Sequence, residues 1–328
     1  MHKKILFYVA IIALFDMFVY PSIASYVNAN AQGPEIIYKQ QLGSKGSGDG
    51  QFRTPHSLAV DIFGNIYVGD TGNKRIEKFY SNGTFVTSWG SAGSNDGQFL
   101  GLHDVTVDPE GKFVYSLELN NHRVQKFDSN GTFITKWGYN GTGGREAQRS
   151  PHQIAVNSMG IVYLTDRNGN QILKFYSNGT FIETIGSKGA GPGQFDGPHG
   201  IAIDSDNDNV YVTDMKNHRV QVFDSNDSFI RQWGSFGNGT GQFSDTAPGI
   251  AVDNNNNNSK NNNVYIIDKI NARVQMFDKE GNYLTGWGSN GKGHEQLNEP
   301  EDIAVDKKSN IYVTDTRNSR IQILEIKN

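Results

Sequence analysis

The chain repeats itself at intervals of about 48 residues, and a period of that length signals a repeat architecture before any other feature is read. Aromatic-glycine steps at Trp89-Gly90, Trp137-Gly138, Trp233-Gly234 and Trp287-Gly288 mark the period, with Ile185-Gly186 and Leu42-Gly43 in the two remaining places. Successive spacings from Leu42 are 47, 48, 48, 48 and 54 residues. The longest interval holds the polar tract "NNNNNSKNNN" (254–263), a surface insertion with no part in a core.

Each period carries four strand signals. In the first they are "SLAV" (57–60), "NIYVGD" (65–70), "RIEKF" (75–79) and "TFVTSW" (84–89). All are short, rich in β-branched and aromatic residues, and bounded by turn formers. "SNG" closes the last hairpin at 81–83, 129–131 and 177–179. Asn-Gly there is the strongest short hairpin signal and predicts a tight turn, since both residues tolerate positive φ. Four antiparallel strands per repeat predict an all-β fold, the β-propeller, with one blade per period. After Gly288 only three strand signals remain, whereas "EIIYKQQLG" (35–43) stands unassigned ahead of the first repeat. Pairing those termini in one sheet completes six blades and removes a sheet edge at the seam.

The segments "DIAVDKKSNIYVTDTRNSRIQIL", "GIAIDSDNDNVYVTDMKNHRVQVFD" and "GSKGAGPGQFDGPHGIAID" resemble the NHL-repeat family. The likeness covers roughly residues 35–328. It implies a six-bladed propeller, in agreement with the count made from spacing, but a fold of this kind hosts both binding modules and enzymes.

Strand alternation sorts the loops into two faces. Turns after the second and fourth strands share the face with the long "GSKGSGDGQFRTPH"-type connectors, and the short hairpins share the other. Varied loops on a rigid scaffold are where recognition concentrates, so the connector face is the expected functional face. His56, His103, His152 and His199 each precede an innermost strand there and are expected to ring the channel mouth, while Pro248 and Glu301 take the equivalent places. Neutral imidazole suits zinc, so a divalent metal (zinc or calcium) at the channel is one expectation. Among propellers similar to this family, peptidyl-hydroxyglycine amidating lyase carries metal-binding histidines in "P-H" segments, and the resemblance carries that role to His56 and His199, with His152 in the same context and His103 following leucine. The alternative is that a symmetric scaffold repeats any residue that suits its turn.

A "D-x-x-N-x-R" pattern recurs as Asp70/Asn73/Arg75, Asp214/Asn217/Arg219, Asp268/Asn271/Arg273 and Asp315/Asn318/Arg320. An aspartate taking backbone N–H bonds beside an arginine bridging carbonyls accounts for such a turn as scaffold. Its departures are the expected ligand edge: Glu118 for aspartate in blade two, Gln171 for arginine in blade three, and "GREAQRS" (144–150) with Arg145 and Arg149. His122, His218 and Glu301 lie on the same face and join that candidate set. The tryptophans are expected to pack between blades.

The first residues read as an export signal: Lys3 and Lys4, the apolar run "ILFYVAIIALF" (5–15), and a small-residue "ANA" (29–31). Residues 1–31 are thus expected to be a signal peptide or an N-terminal anchor, and 32–328 one propeller domain, secreted or at the cell surface. With no cysteine in the sequence, disulfides, thiolate catalysis and Cys-based zinc modules are excluded, including the RING module of intracellular relatives. Formal net charge is −4 with both signs scattered, which offers no basic stripe for nucleic acid and leaves membrane contact only to the N-terminal segment. Acceptor triplets for N-glycosylation start at Asn82, Asn130, Asn140, Asn178, Asn226, Asn238 and Asn257. No serine elbow or phosphate loop is present. Two functions follow as expectations: a binding module for a protein, peptide or glycan, or a metal-dependent lyase or hydrolase at the channel mouth.

Overall fold

In the computed structural model, residues 33–138, 150–244, 248–253 and 263–327 are described. The expected signal segment, Arg145, Arg149, Asn140, Asn257 and most of the polyasparagine tract lie outside them. The body Gly33–Asn328 is all-β: six four-stranded antiparallel sheets whose innermost strands touch in a closed cycle. Blade one comprises Pro55–Val60, Ile66–Asp70, Arg75–Phe79 and Phe85–Trp89. The inner strands of blades two to six are Leu102–Val107, Pro151–Val156, Pro198–Ile203, Ile250–Val252 and Pro300–Val305.

The seam closes as the sequence predicts. Glu35–Leu42 pairs antiparallel with Arg320–Lys327, from Glu35 opposite Lys327 to Leu42 opposite Ile321, with one bulge between Tyr38 and Gln40. The chain's first described strand is therefore the outer strand of its last blade.

Packing between blades explains the marker residues. The second strand of every blade buries one tyrosine completely: Tyr67, Tyr115, Tyr163, Tyr211, Tyr265 and Tyr312. Burying a large side chain contributes about 1.5–3 kcal/mol each time it recurs. Trp89 meets Tyr67 edge-on at 6.4 Å within its own blade and Phe127 of the next at 5.9 Å. Its ring lies on the following blade's hairpin, where a β-carbon at Gly131 would approach to 2.4 Å. The glycine of "SNG" is thus required by close approach as well as by its φ of 91°.

The hairpins correct one expectation. Gly83 is at positive φ but Asn82 is not; instead Asn82 Oδ1 accepts the Thr84 N–H at 2.9 Å, and the ladder bulges between Lys78 and Phe79. The turn is a longer one with a left-handed glycine, which preserves strand twist without forcing asparagine over the left-handed barrier.

The connectors are built by the "Q-F" pair. Ser44–Lys45 runs parallel to Gln51–Phe52, and Phe52 is fully buried edge-on to Phe79 at 5.8 Å. Phe99, Phe195, Phe243 and Leu297 repeat this plug.

Candidate functional site

The site begins with a backbone difficulty. The innermost strand of each blade has no neighbour on its channel side, so its N–H groups need other acceptors. The residue after each mouth position supplies some of them. Asp302 Oδ2 accepts the Leu58 N–H of blade one at 2.9 Å, and Asp104 Oδ2 accepts that of Ile154 in blade three at 2.8 Å. Gln153 Oε1 takes the Ile201 N–H of blade four at 2.9 Å, while its amide donates to Asp302 Oδ1 at 3.0 Å. These three side chains cross blade boundaries and partition the channel. Burial raises the pKa of Asp104 and Asp302, and repulsion by Asp302 adds to the effect on Asp104. Both carboxyls therefore hold a proton more readily than exposed ones do.

Above the partition stand the four histidines. Neighbouring ring centroids are 4.3 Å apart for His56–His103, 4.8 Å for His103–His152 and 4.3 Å for His152–His199. The rings pass hydrogen bonds round the mouth: His56 Nδ1 lies 2.9 Å from the His103 carbonyl, His103 Nδ1 2.8 Å from that of His152, and His199 Nδ1 3.3 Å from that of Pro248. A carbonyl can only accept, so each of these Nδ1 atoms carries the proton. Desolvation lowers the pKa of His56 to about 4 and of His103 and His152 to about 3, and lowers His199 as well. The ring is therefore neutral at physiological pH. Beneath it lies a cavity of about 10 Å³, bounded below by Asp104, Gln153 and Asp302, room for about one water.

A histidine kept neutral in the fold adds stability that is complete above its unfolded pKa near 6.5 and is lost as pH falls toward the folded value of about 3–4. The ring ¹⁵N shifts of His56, His103 and His152 are expected to remain those of neutral imidazole at about pH 5. H103Q should correspondingly unfold at lower pH than the parent protein. Titration of these rings near 6.5 would contradict the assigned burial.

In four blades the residue following the turn aspartate also reaches toward the mouth, a position that the sequence reading passed over. Thr71 and Thr316 donate to the carbonyls of Leu102 and Pro55 in the next blade, each at 2.8 Å. Lys269 makes an ion pair with Glu301, whose carboxylate also stands 3.9 Å from His56 Nε2. Arg167 fills the same position in blade three, and its charge acts on His103, His152 and His199.

The remaining candidates are distributed as follows. The "D-x-x-N-x-R" set forms clamps: Arg219 Nε donates to Asp214 Oδ2 at 2.9 Å and its terminal nitrogens reach the carbonyls of Ala190, Gly191 and Gln194. Asp70, Asp268 and Asp315 are completely buried and hold Arg75, Arg273 and Arg320 in the same manner. Asn73, Asn217, Asn271 and Asn318 bridge each aspartate to a connector carbonyl. Glu118, expected at a ligand edge, is fully buried and pairs with Arg123 at 2.7 Å. Its longer side chain takes the aspartate's role in the clamp, which corrects that expectation. Gln171 stands in for arginine, its amide 3.2 Å from Asp166 Oδ2. His122 is exposed, whereas the His218 ring lies tilted against the exposed Phe236 at 4.8 Å. Asn82, Asn130, Asn178, Asn226 and Asn238 are solvent-exposed.

At the opposite end the channel widens into a funnel of about 260 Å³, lined by Val60, Val107, Val156, Ile203, Val252 and Val305 among others. It stops at the same Asp104–Gln153–Asp302 partition. Ile62, Phe63 and Met159 are exposed in the hairpins on that face.

These features define a six-bladed β-propeller with a partitioned channel and a histidine-ringed mouth. The NHL repeat model matches residues 149–175, 195–223 and 297–324, within blades three, four and six. NHL repeat-containing protein 3 of Homo sapiens is 30% identical over 78 residues, a match covering 24% of this chain and 22% of that protein. The chain therefore aligns with only about a fifth of that curated relative. Among solved structures, a gluconolactonase of Xanthomonas campestris superposes with a TM-score of 0.61 at 13% identity, over 90% of this chain and 98% of that one. An auxiliary nutrient binding protein of Bacteroides thetaiotaomicron gives 0.62 at 14% identity, over 90% and 77%. At such identities the likeness concerns the fold alone.

Proposed function

We propose that the chain is an exported binding module that takes a protein, peptide or glycan on its connector face, around the channel mouth. The observation that carries this reading is how the polar groups there are used. Asp104, Gln153 and Asp302, which have the burial expected of catalytic groups, are engaged with backbone N–H groups beneath the histidines. What remains near the surface is a neutral imidazole ring beside a guanidinium and a Lys–Glu pair, a surface suited to recognition.

The metal-dependent lyase or hydrolase is the second reading. In its favour, imidazoles anchored through Nδ1 to carbonyls leave Nε2 lone pairs, the arrangement that metal-ligating histidines use. Against it, among the described residues no group of three or more His, Asp or Glu is placed to hold one ion. Peptide and glycan arrays probed with the parent protein and with H56A/H152A/H199A, together with metal analysis of both, separate the two readings. A ligand lost in the variant with no stoichiometric metal in the parent is the expected result. A stoichiometric metal that disappears in the variant would overturn it.

A further inference from the structure

We propose that Arg167, with the adjoining His152 and His199 rings, forms a receptor for a single carboxylate, borne by a peptide C-terminus or by a small organic acid. The inference rests on the binding-module reading and names the chemistry of its ligand.

Two independent features lead to it. The first is an uncompensated cation. Arg167 is half-buried, yet among the described residues its guanidinium makes no hydrogen bond or ion pair. Its backbone N–H is tied to the Ser150 carbonyl at 3.1 Å, at the entrance to blade three. Its stem runs beside the entrance to blade four, where a β-carbon on Gly197 would meet Arg167 Cγ at 3.8 Å. The side chain is thus held between the segments that bear His152 and His199. The equivalent cation of blade five, Lys269, is neutralised by Glu301.

The second is a buried ring nitrogen without a partner. Following the pattern of blades one and two, His152 Nδ1 would bond the His199 carbonyl. That oxygen instead accepts the Thr165 hydroxyl at 2.6 Å. His152 is only 9% exposed, and its Nδ1 has no partner, while Nε2 faces the Ser150 hydroxyl at 3.4 Å. The circuit of ring-to-carbonyl bonds breaks at the place where Arg167 stands. A carboxylate on the Arg167 guanidinium compensates the cation, and a rotation of the His152 ring brings its buried Nδ1 to the same acceptor. One guanidinium among neutral rings balances a monoanion, whereas a phosphate dianion would bring an uncompensated charge into a partly desolvated site.

The test titrates N-acetylglycylglycine, its C-terminal amide, acetate and inorganic phosphate into the protein while following the histidine ring ¹⁵N signals. The free carboxylates should move His152 and His199, and the amide should not. R167Q should weaken carboxylate binding by roughly tenfold or more and leave the thermal midpoint unchanged, because the Arg167 guanidinium makes no hydrogen bond among the described residues and the backbone bond to Ser150 is kept. Binding of the dipeptide about tenfold tighter than acetate assigns a peptide terminus; equal binding assigns a small acid. Response to the amide, tighter binding of phosphate, absence of any response, or full binding by R167Q would each overturn the inference. A ligand captured by the arrays and retained by R167Q would overturn it while leaving the binding-module reading in place.

Discussion

A chain that begins at Gly43 is expected to lose its cooperative thermal transition or to self-associate. Removing residues 33–42 strips the outer strand from blade six and leaves Arg320–Lys327 with an unpaired edge. The register lost runs the length of the strand, from Glu35–Lys327 to Leu42–Ile321. Leu42 and Ile36 also leave two separate clusters, one shared with blade one and one with blade five. Full burial, as for Leu42, is worth about 1.5–3 kcal/mol, half-buried Ile36 contributes less, and the ladder bonds add to both. Domains hold net stabilities of about 5–15 kcal/mol, so the loss approaches the whole. The exposed edge, bearing Ile321, Ile323 and Leu324, is also a template for pairing with another chain. Thermal unfolding with sedimentation analysis reads both outcomes, and a peptide of residues 33–43 added in trans should restore the transition. A truncated protein that stays monomeric and melts within about 2 °C of the parent would refute the closure as a stabilising device.

That device was legible in the sequence because it follows from counting: three strand signals at one end, one at the other, and a period that requires four. Blade number, strand bounds and the connector face were readable for the same reason, since periodicity is a local property that recurs. The glycine of "SNG" was readable as a turn former, but its contact with Trp89 was not, because that contact joins adjacent blades. The mouth divides in the same way. The histidine at each inner strand was visible as a repeated letter, whereas the partition depended on the next residue, polar in Asp104, Gln153 and Asp302 and small in Ser57, Gly200 and Gly249. Only closure of the ring brings those positions together across the channel. Arg167 was hidden for a related reason. It follows a clamp aspartate that recurs round the ring, and its meaning comes from the partners that Thr71, Lys269 and Thr316 have and it lacks among the described residues. Glu118 misled in the opposite sense, because a changed letter preserved the charge that the clamp needs.

The clamps carry the second large effect. R219A is expected to destabilise the protein by about 3–5 kcal/mol, lowering the thermal midpoint by on the order of 10 °C. Arg219 is 7% exposed and Asp214 wholly buried. The guanidinium satisfies three connector carbonyls and the Gln232 side chain in addition to the aspartate. Truncation therefore leaves a buried carboxylate and several carbonyls without their donor, a cost well beyond that of a surface ion pair. R219K keeps the charge but not the planar fork, so it should recover only part of the loss. Blade three indicates what a milder change would do. There Asp166 is held by the Ser150 and Gly169 N–H groups, at 3.0 and 3.1 Å, alongside the neutral Gln171 amide. Backbone donors thus carry part of what arginine does elsewhere, and R219Q should fall between the lysine and alanine variants. Denaturant unfolding of the three variants measures the order. An R219A cost below about 1 kcal/mol, the scale of exposed pairs, would mean that the connector is held by its Gln-Phe plug alone and that the arginine is dispensable to the blade.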